Sequence, residues 1–128
     1  MCNCFSYNSQ QGVDKPVLLK TPEWFTIKSF NGKEYVKKKV VSIDFCIVKV
    51  IKHLWDNCIE TLGSCCMHNE LSPLGKCNPN IVIRDNYPKK VIPFIEDLIK
   101  QVDDREWDIL QWVDYGIDWG KTGIKKVN

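Results

Sequence analysis

At 128 residues and 44% hydrophobic composition, the chain suffices for one domain with a real core and is too short for two of ordinary size. A formal net charge of +2 is too mild to announce a nucleic-acid binder, for which a markedly basic domain is expected, and no apolar run approaches the length that spans a bilayer. Met1 to Asn8 hold no basic segment followed by an apolar one, so the expectation is a soluble, cytoplasmic protein. Its seven cysteines are then reduced and serve as metal ligands, reactive thiols or small core residues.

A single domain over 1–128 is expected, with an extended arm (1–23), a core (24–113) and a C-terminal tail (114–128). The arm carries Gly12, Pro16 and Pro22 around one short apolar run, Val17-Leu18-Leu19. Trp24 to Phe30 and Lys33 to Val36 flank Asn31-Gly32, a dipeptide that accepts the positive φ angles of a two-residue hairpin turn. Val40-Val41-Ser42-Ile43 reads as a strand, and Asp44 is placed to cap the helix after it. Ile47, Val50, Ile51 and Leu54 recur at helical spacing and predict a helix over 46–56.

Ile59 to Gly63 reads as a second strand running into the turn that holds Cys65, Cys66 and His68. A polar loop with Pro73, Gly75, Cys77 and Pro79 leads to a third strand at Ile81-Val82-Ile83, which closes a loose hairpin with the second. Ile92, Ile95, Leu98, Ile99 and Val102 give another helical stripe, over 93–102, with Pro93 tolerated in the first turn. Trp107 to Val113 is rich in β-formers. The order strand, helix, strand, strand, helix, strand predicts an α+β fold with a ferredoxin-like (split βαβ) core, the early hairpin being an addition to it. Residues 115–128, which alternate glycine, aromatic and lysine, are expected to lie across a sheet edge or to stay mobile.

Soft-ligand chemistry is concentrated at Cys65-Cys66-Met67-His68. In a right-handed βαβ unit the first two strands run parallel, so Asp44 and Cys46 at the end of one emerge beside Ser64, Cys65 and Cys66 at the end of the other. Cys46, Cys65, Cys66 and His68 then form a ligand set, with Cys2 and Cys4 of the arm and Cys77 of the loop able to fold toward it. Zinc is the expected ion, and Cys65 with His68 is the favoured pair, since a C-x2-H turn brings both to one side. The alternative is a nucleophilic Cys65 or Cys66 with His68 as base and Asp44 as orienter. His53 reads as a surface residue of the first helix.

Lys37-Lys38-Lys39, Lys89-Lys90 and Lys125-Lys126, with Trp107, Trp112, Tyr115 and Trp119, read first as guarded edges and core aromatics and second as a phosphate-bearing ligand site. Gly120-Lys121-Thr122-Gly123 is no P-loop, because the first glycine is not at the required spacing.

The run Leu54 to His68, with Asp44-Phe45-Cys46 before it and Met1-Cys2-Asn3-Cys4 at the start, resembles a signature of small, largely uncharacterised proteins of bacteriophages and their bacterial hosts. Those carry a helix followed by Gly-Ile-x-Thr-x-x-Ser-Cys-Cys-Gly-His, and the likeness spans about residues 40–85. It implies site roles for Cys46, Cys65, Cys66 and His68, and less directly for Cys2 and Cys4. Where the signature has glycine, this chain has Cys58 and Met67. The expected function is a zinc-binding, non-enzymatic accessory or counter-defence factor in a host cytoplasm, acting on a host protein or a small signal molecule. Self-association through C-terminal aromatics stays open, and a thiol-dependent enzyme is the rival.

Overall fold

A computed structural model describes residue 4 and residues 12–25, 28–30, 33–35, 39–67, 71–72, 75–76, 78–84, 87–114 and 122–128. Its elements are β1 (Val17–Lys20), β2 (Lys28–Phe30), β3 (Lys33–Tyr35), β4 (Val40–Ile43), α1 (Val48–Asp56), β5 (Thr61–Cys65), β6 (Leu71–Ser72), β7 (Gly75–Lys76), β8 (Asn80–Ile83), α2 (Ile92–Lys100), β9 (Asp108–Asp114) and β10 (Thr122–Lys126). Single 3-10 turns at 45–47 and 89–91 lead into α1 and α2. The class is mixed α+β. Among the described residues no helix is long and apolar enough to cross a membrane.

The main sheet has the order β10-β9-β8-β5. β5 and β8 are antiparallel, as the expected loose hairpin requires, and the small β6–β7 pair lies in the connection between them. β8 and β9 are parallel neighbours, which demands a crossover, and α2 supplies it. β10 closes the other edge antiparallel to β9, so 122–126 lies along a sheet edge. Beyond it, Val127 N–H donates to Ile109 O (2.8 Å). The Asn128 amide then acts as one more peptide unit, accepting from Ile109 N (2.9 Å) and donating to Trp107 O (2.7 Å).

The ferredoxin-like order is not what these strands form. That order would insert 40–43 between the third and fourth strands. Here β8 and β9 are direct neighbours, and β4 pairs instead with β1 in a separate antiparallel ribbon, Val17 opposite Ile43 and Lys20 opposite Val40. The physical reason is visible in β4 itself. It is four residues long, with Val40 49% exposed and Ser42 exposed, so it has one apolar face to bury, which an antiparallel ribbon with β1 satisfies. The arm therefore contributes a strand, and its Leu19 joins the core. Thr21 extends the ribbon by donating its N–H and its hydroxyl to Lys39 O. The early hairpin pairs as expected, Phe30 opposite Lys33. Its Asn31-Gly32 tip lies outside the described residues.

The apolar stripes are buried at Val50, Ile51, Leu54 and Trp55 of α1 and at Ile92, Ile95, Leu98 and Ile99 of α2. They share one core with Ile81, Ile83 and Ile109 of the sheet and with Ile43 and Ile47. However, α2 stops at Lys100, and Val102, expected to continue the second stripe, lies beyond it and is exposed. Pro93 sits in the first turn of α2, where its missing N–H costs nothing. The end of α1 is a Schellman arrangement, with Ile59 N–H on Leu54 O (2.9 Å) and Cys58 N–H on Trp55 O (3.0 Å). Cys58 takes φ 65° to make it, and Met67 takes φ 62° just after β5. These are the two positions at which the resembled signature has glycine. The chain keeps the left-handed backbone there and carries a side chain on it.

Candidate metal centre

Three segments meet beyond the end of β4. Asp44 leaves that strand in an extended conformation (ψ 136°), and its side chain does not cap the turn that follows. Its Oδ2 instead accepts the N–H of Cys66 at 2.9 Å. The expected cap at Asp44 is thus replaced by a clamp that ties the exit of β5 to the exit of β4, although the two strands belong to different sheets.

Cys46 lies in the 3-10 turn between exposed Phe45 and fully buried Ile47. Its N–H donates to Cys4 Sγ at 3.2 Å, which brings the arm in from 42 positions away. Cys4 is further placed by a parallel bridge to Asp14. The Sγ atoms of Cys4, Cys46 and Cys66 all lie within 4.8 Å of one another. Cys4 and Cys66 are buried, and Cys46 is half-buried.

Cys65 takes no part in this group. It is the last residue of β5, and its Sγ accepts Met67 N–H at 3.2 Å. Among the described residues it is Cys66, rather than Cys65 of the favoured C-x2-H pair, that stands beside Cys46. His68, Cys2 and Cys77 lie outside the described residues. His53 is on the surface side of α1, with Nε2 2.8 Å from Gln101 Oε1.

Sequence reasoning missed Arg105. From the loop before β9 its Nη1 reaches Cys46 Sγ and its Nη2 reaches Cys46 O, both at 3.4 Å. Asp103 holds the guanidinium in place, at 2.6 Å from Nη2 to Oδ2 and 3.1 Å from Nε to each carboxylate oxygen. The Trp107 ring lies below it, 5.8 Å from centroid to Cζ. A lone Arg in a polar loop has no local signature, and only the crossover through α2 brings it to the 45–47 turn.

The electrostatics favour a thiolate. The Cys66 thiol against its sulfur lowers the Cys46 pKa most; burial opposes this, and Arg105 and Cys4 lower it further, to about 5. Burial pushes the Asp103 carboxyl up, but the hydrogen bonds from Arg105 outweigh that and hold it below the usual range. Three sulfurs with a bound cation beside one of them can hold a soft metal ion, because ligand thiols must be deprotonated to bind. No protein-family model, no curated protein and no solved structure matches this chain.

Proposed function

We propose that the chain is a small zinc-stabilised binding protein in which one ion joins the N-terminal arm, through Cys4, to the start of α1, through Cys46, and the exit of β5, through Cys66. The carrying observation is the sulfur triangle, drawn from three separate segments and closed to within 4.8 Å. Tetrahedral zinc with Zn–S bonds of about 2.3 Å needs sulfurs about 3.8 Å apart, so roughly an ångström of side-chain adjustment seats it. Zinc is preferred to harder ions because every donor in the group is a thiol. The role of the folded protein, engaging a host protein or small signal molecule as a phage-type accessory factor, is supported by its size and by the resemblance of residues 40–85.

A second reading has its own observation. A thiol held at about 5 beside an arginine is a nucleophile at neutral pH, which moves the thiol-enzyme alternative from Cys65 or Cys66 to Cys46. Metal analysis with peptide-resolved alkylation separates the two. The zinc reading expects about one ion per chain in protein purified without chelator, with Cys46 shielded from iodoacetamide until the ion is stripped. Metal-free protein whose Cys46 alkylates at once would rule out the zinc centre and favour the enzyme.

A further inference from the structure

Among the described residues the sulfur triangle is a set of three donors, all of them thiols. Cys46 stands at its middle, since the side chains of Cys4 and Cys66 are each hydrogen-bonded to the Cys46 sulfur. The backbone supports the same grouping from two sides, with Asp44 Oδ2 accepting the Cys66 N–H at 2.9 Å and Cys4 Sγ accepting the Cys46 N–H at 3.2 Å. Arg105 Nη1 lies 3.4 Å from the Cys46 sulfur. A guanidinium has donors and no acceptor, so it brings positive charge to the triangle and no ligand atom.

We propose that the centre is an acceptor for monovalent copper, which displaces zinc and is held three-coordinate by Cys4, Cys46 and Cys66 alone. This rests on the same triangle as the zinc reading, with zinc as the ion displaced. Thiolates are the donors that select a soft monovalent ion. Three of them fill the coordination shell of a planar cuprous ion, whereas tetrahedral zinc calls for a fourth ligand. The spacing suits this. With metal–sulfur bonds of about 2.3 Å, the same length as for zinc, a planar ion sets its sulfurs about 4.0 Å apart, inside the 4.8 Å limit of the triangle. Charge points the same way, because three thiolates and one monovalent ion leave an excess of negative charge that the guanidinium hydrogen bond at Cys46 partly offsets. The exchange is a substitution without electron transfer: the Zn–S bonds break, three Cu–S bonds form, the thiolates keep their charge, and Zn(II) leaves as Cu(I) enters.

The test uses the reduced full chain under argon, zinc-loaded and metal-free, with Cu(I) delivered from its bicinchoninate complex. It is read by zinc release, by copper per chain, and by X-ray absorption at the copper edge. The expected result is one copper bound per zinc released, with three sulfur neighbours and no nitrogen or oxygen neighbour. Cys4→Ser, Cys46→Ser and Cys66→Ser should each give up copper to bicinchoninate, Cys65→Ser should hold it as the unsubstituted chain does, and Arg105→Gln should weaken it by about tenfold. The absorption spectrum of the unsubstituted chain settles the ligand count even where a serine variant fails to fold. Zinc retained against excess Cu(I), or copper with two sulfur neighbours or with a nitrogen neighbour, overturns the proposal. Protein that carries no zinc as purified yet takes one Cu(I) on three sulfurs retires the zinc reading and supports the copper assignment, whereas protein that keeps its zinc and refuses Cu(I) retires the copper assignment alone.

Discussion

Cys46 concentrates the chemistry of this chain because three donors, two thiols and a guanidinium, address one sulfur. Its pKa of about 5 lies below the ordinary thiol value of 9.0, chiefly through the Cys66 thiol and then through Arg105. Since the folded pKa is depressed, the folded, metal-free protein binds fewer protons than the unfolded chain between these values. Stability therefore rises with pH across that window, is complete above about 9, and is lost as pH falls through about 5. Cys66→Ala should flatten the rise more than Arg105→Gln, in keeping with the order of the two causes. Urea unfolding of the metal-free protein from pH 5 to 9, with Cys46 alkylation rates over the same range, checks both. An equal rise in all three proteins would show that another group titrates.

The ends of elements carry as much information here as their interiors. In the Schellman turn that stops α1, Cys58 holds φ 65° on an exposed side chain. The left-handed region costs a non-glycine residue about 1 kcal/mol or somewhat more, and an exposed side chain such as Cys58 recovers little of that by burial. Cys58→Gly is therefore expected to stabilise the protein by about 1 kcal/mol, seen as a melting point a few degrees higher. Met67 is the contrast. Its φ is 62°, but its thioether accepts Asn80 Nδ2 at 3.3 Å, so Met67→Gly removes a contact along with the strain and should gain little. A destabilised Cys58→Gly protein would mean that the turn is held by something other than its backbone bonds. Both positions could be singled out in the sequence as glycine sites filled by other residues. The two helices were legible too, because Val50, Ile51 and Leu54, like Ile95, Leu98 and Ile99, repeat at a spacing that only one face of a helix satisfies. Strand partners were legible for the two hairpins, β2 with β3 and β5 with β8, but not for β4. Period-two alternation marks which face of β4 is buried but is silent on which strand lies beside it, and so the pairing with β1 went unread.

At the scale of the whole molecule, the sulfur triangle brings together segments that lie in different sheets among the described residues. The convergence of Asp44, Cys46 and Cys66 was legible as two element ends meeting, although it arises through the Asp44 side chain rather than through adjacent parallel strands. The choice of Cys66 over Cys65 and the arrival of Arg105 depend on side-chain direction and on a crossover, neither of which spacing encodes. Zinc binding to such a junction adds to folding free energy, because the unfolded chain scatters the ligands over more than sixty positions. With free zinc at about a hundredfold its dissociation constant, the gain is roughly 2.7 kcal/mol, worth on the order of 10 °C in melting temperature for a domain of this size. A chelator should therefore lower the melting point of the native protein by about that amount. Cys4→Ser, Cys46→Ser and Cys66→Ser should each lose bound zinc and most of the chelator response, while Cys65→Ser keeps both, since its sulfur lies outside the triangle. Calorimetry with and without chelator, paired with metal content for each variant, reads the difference directly. A Cys65→Ser protein that loses its zinc while Cys4→Ser retains it would move the centre to the Cys65 side of β5 and away from the arm.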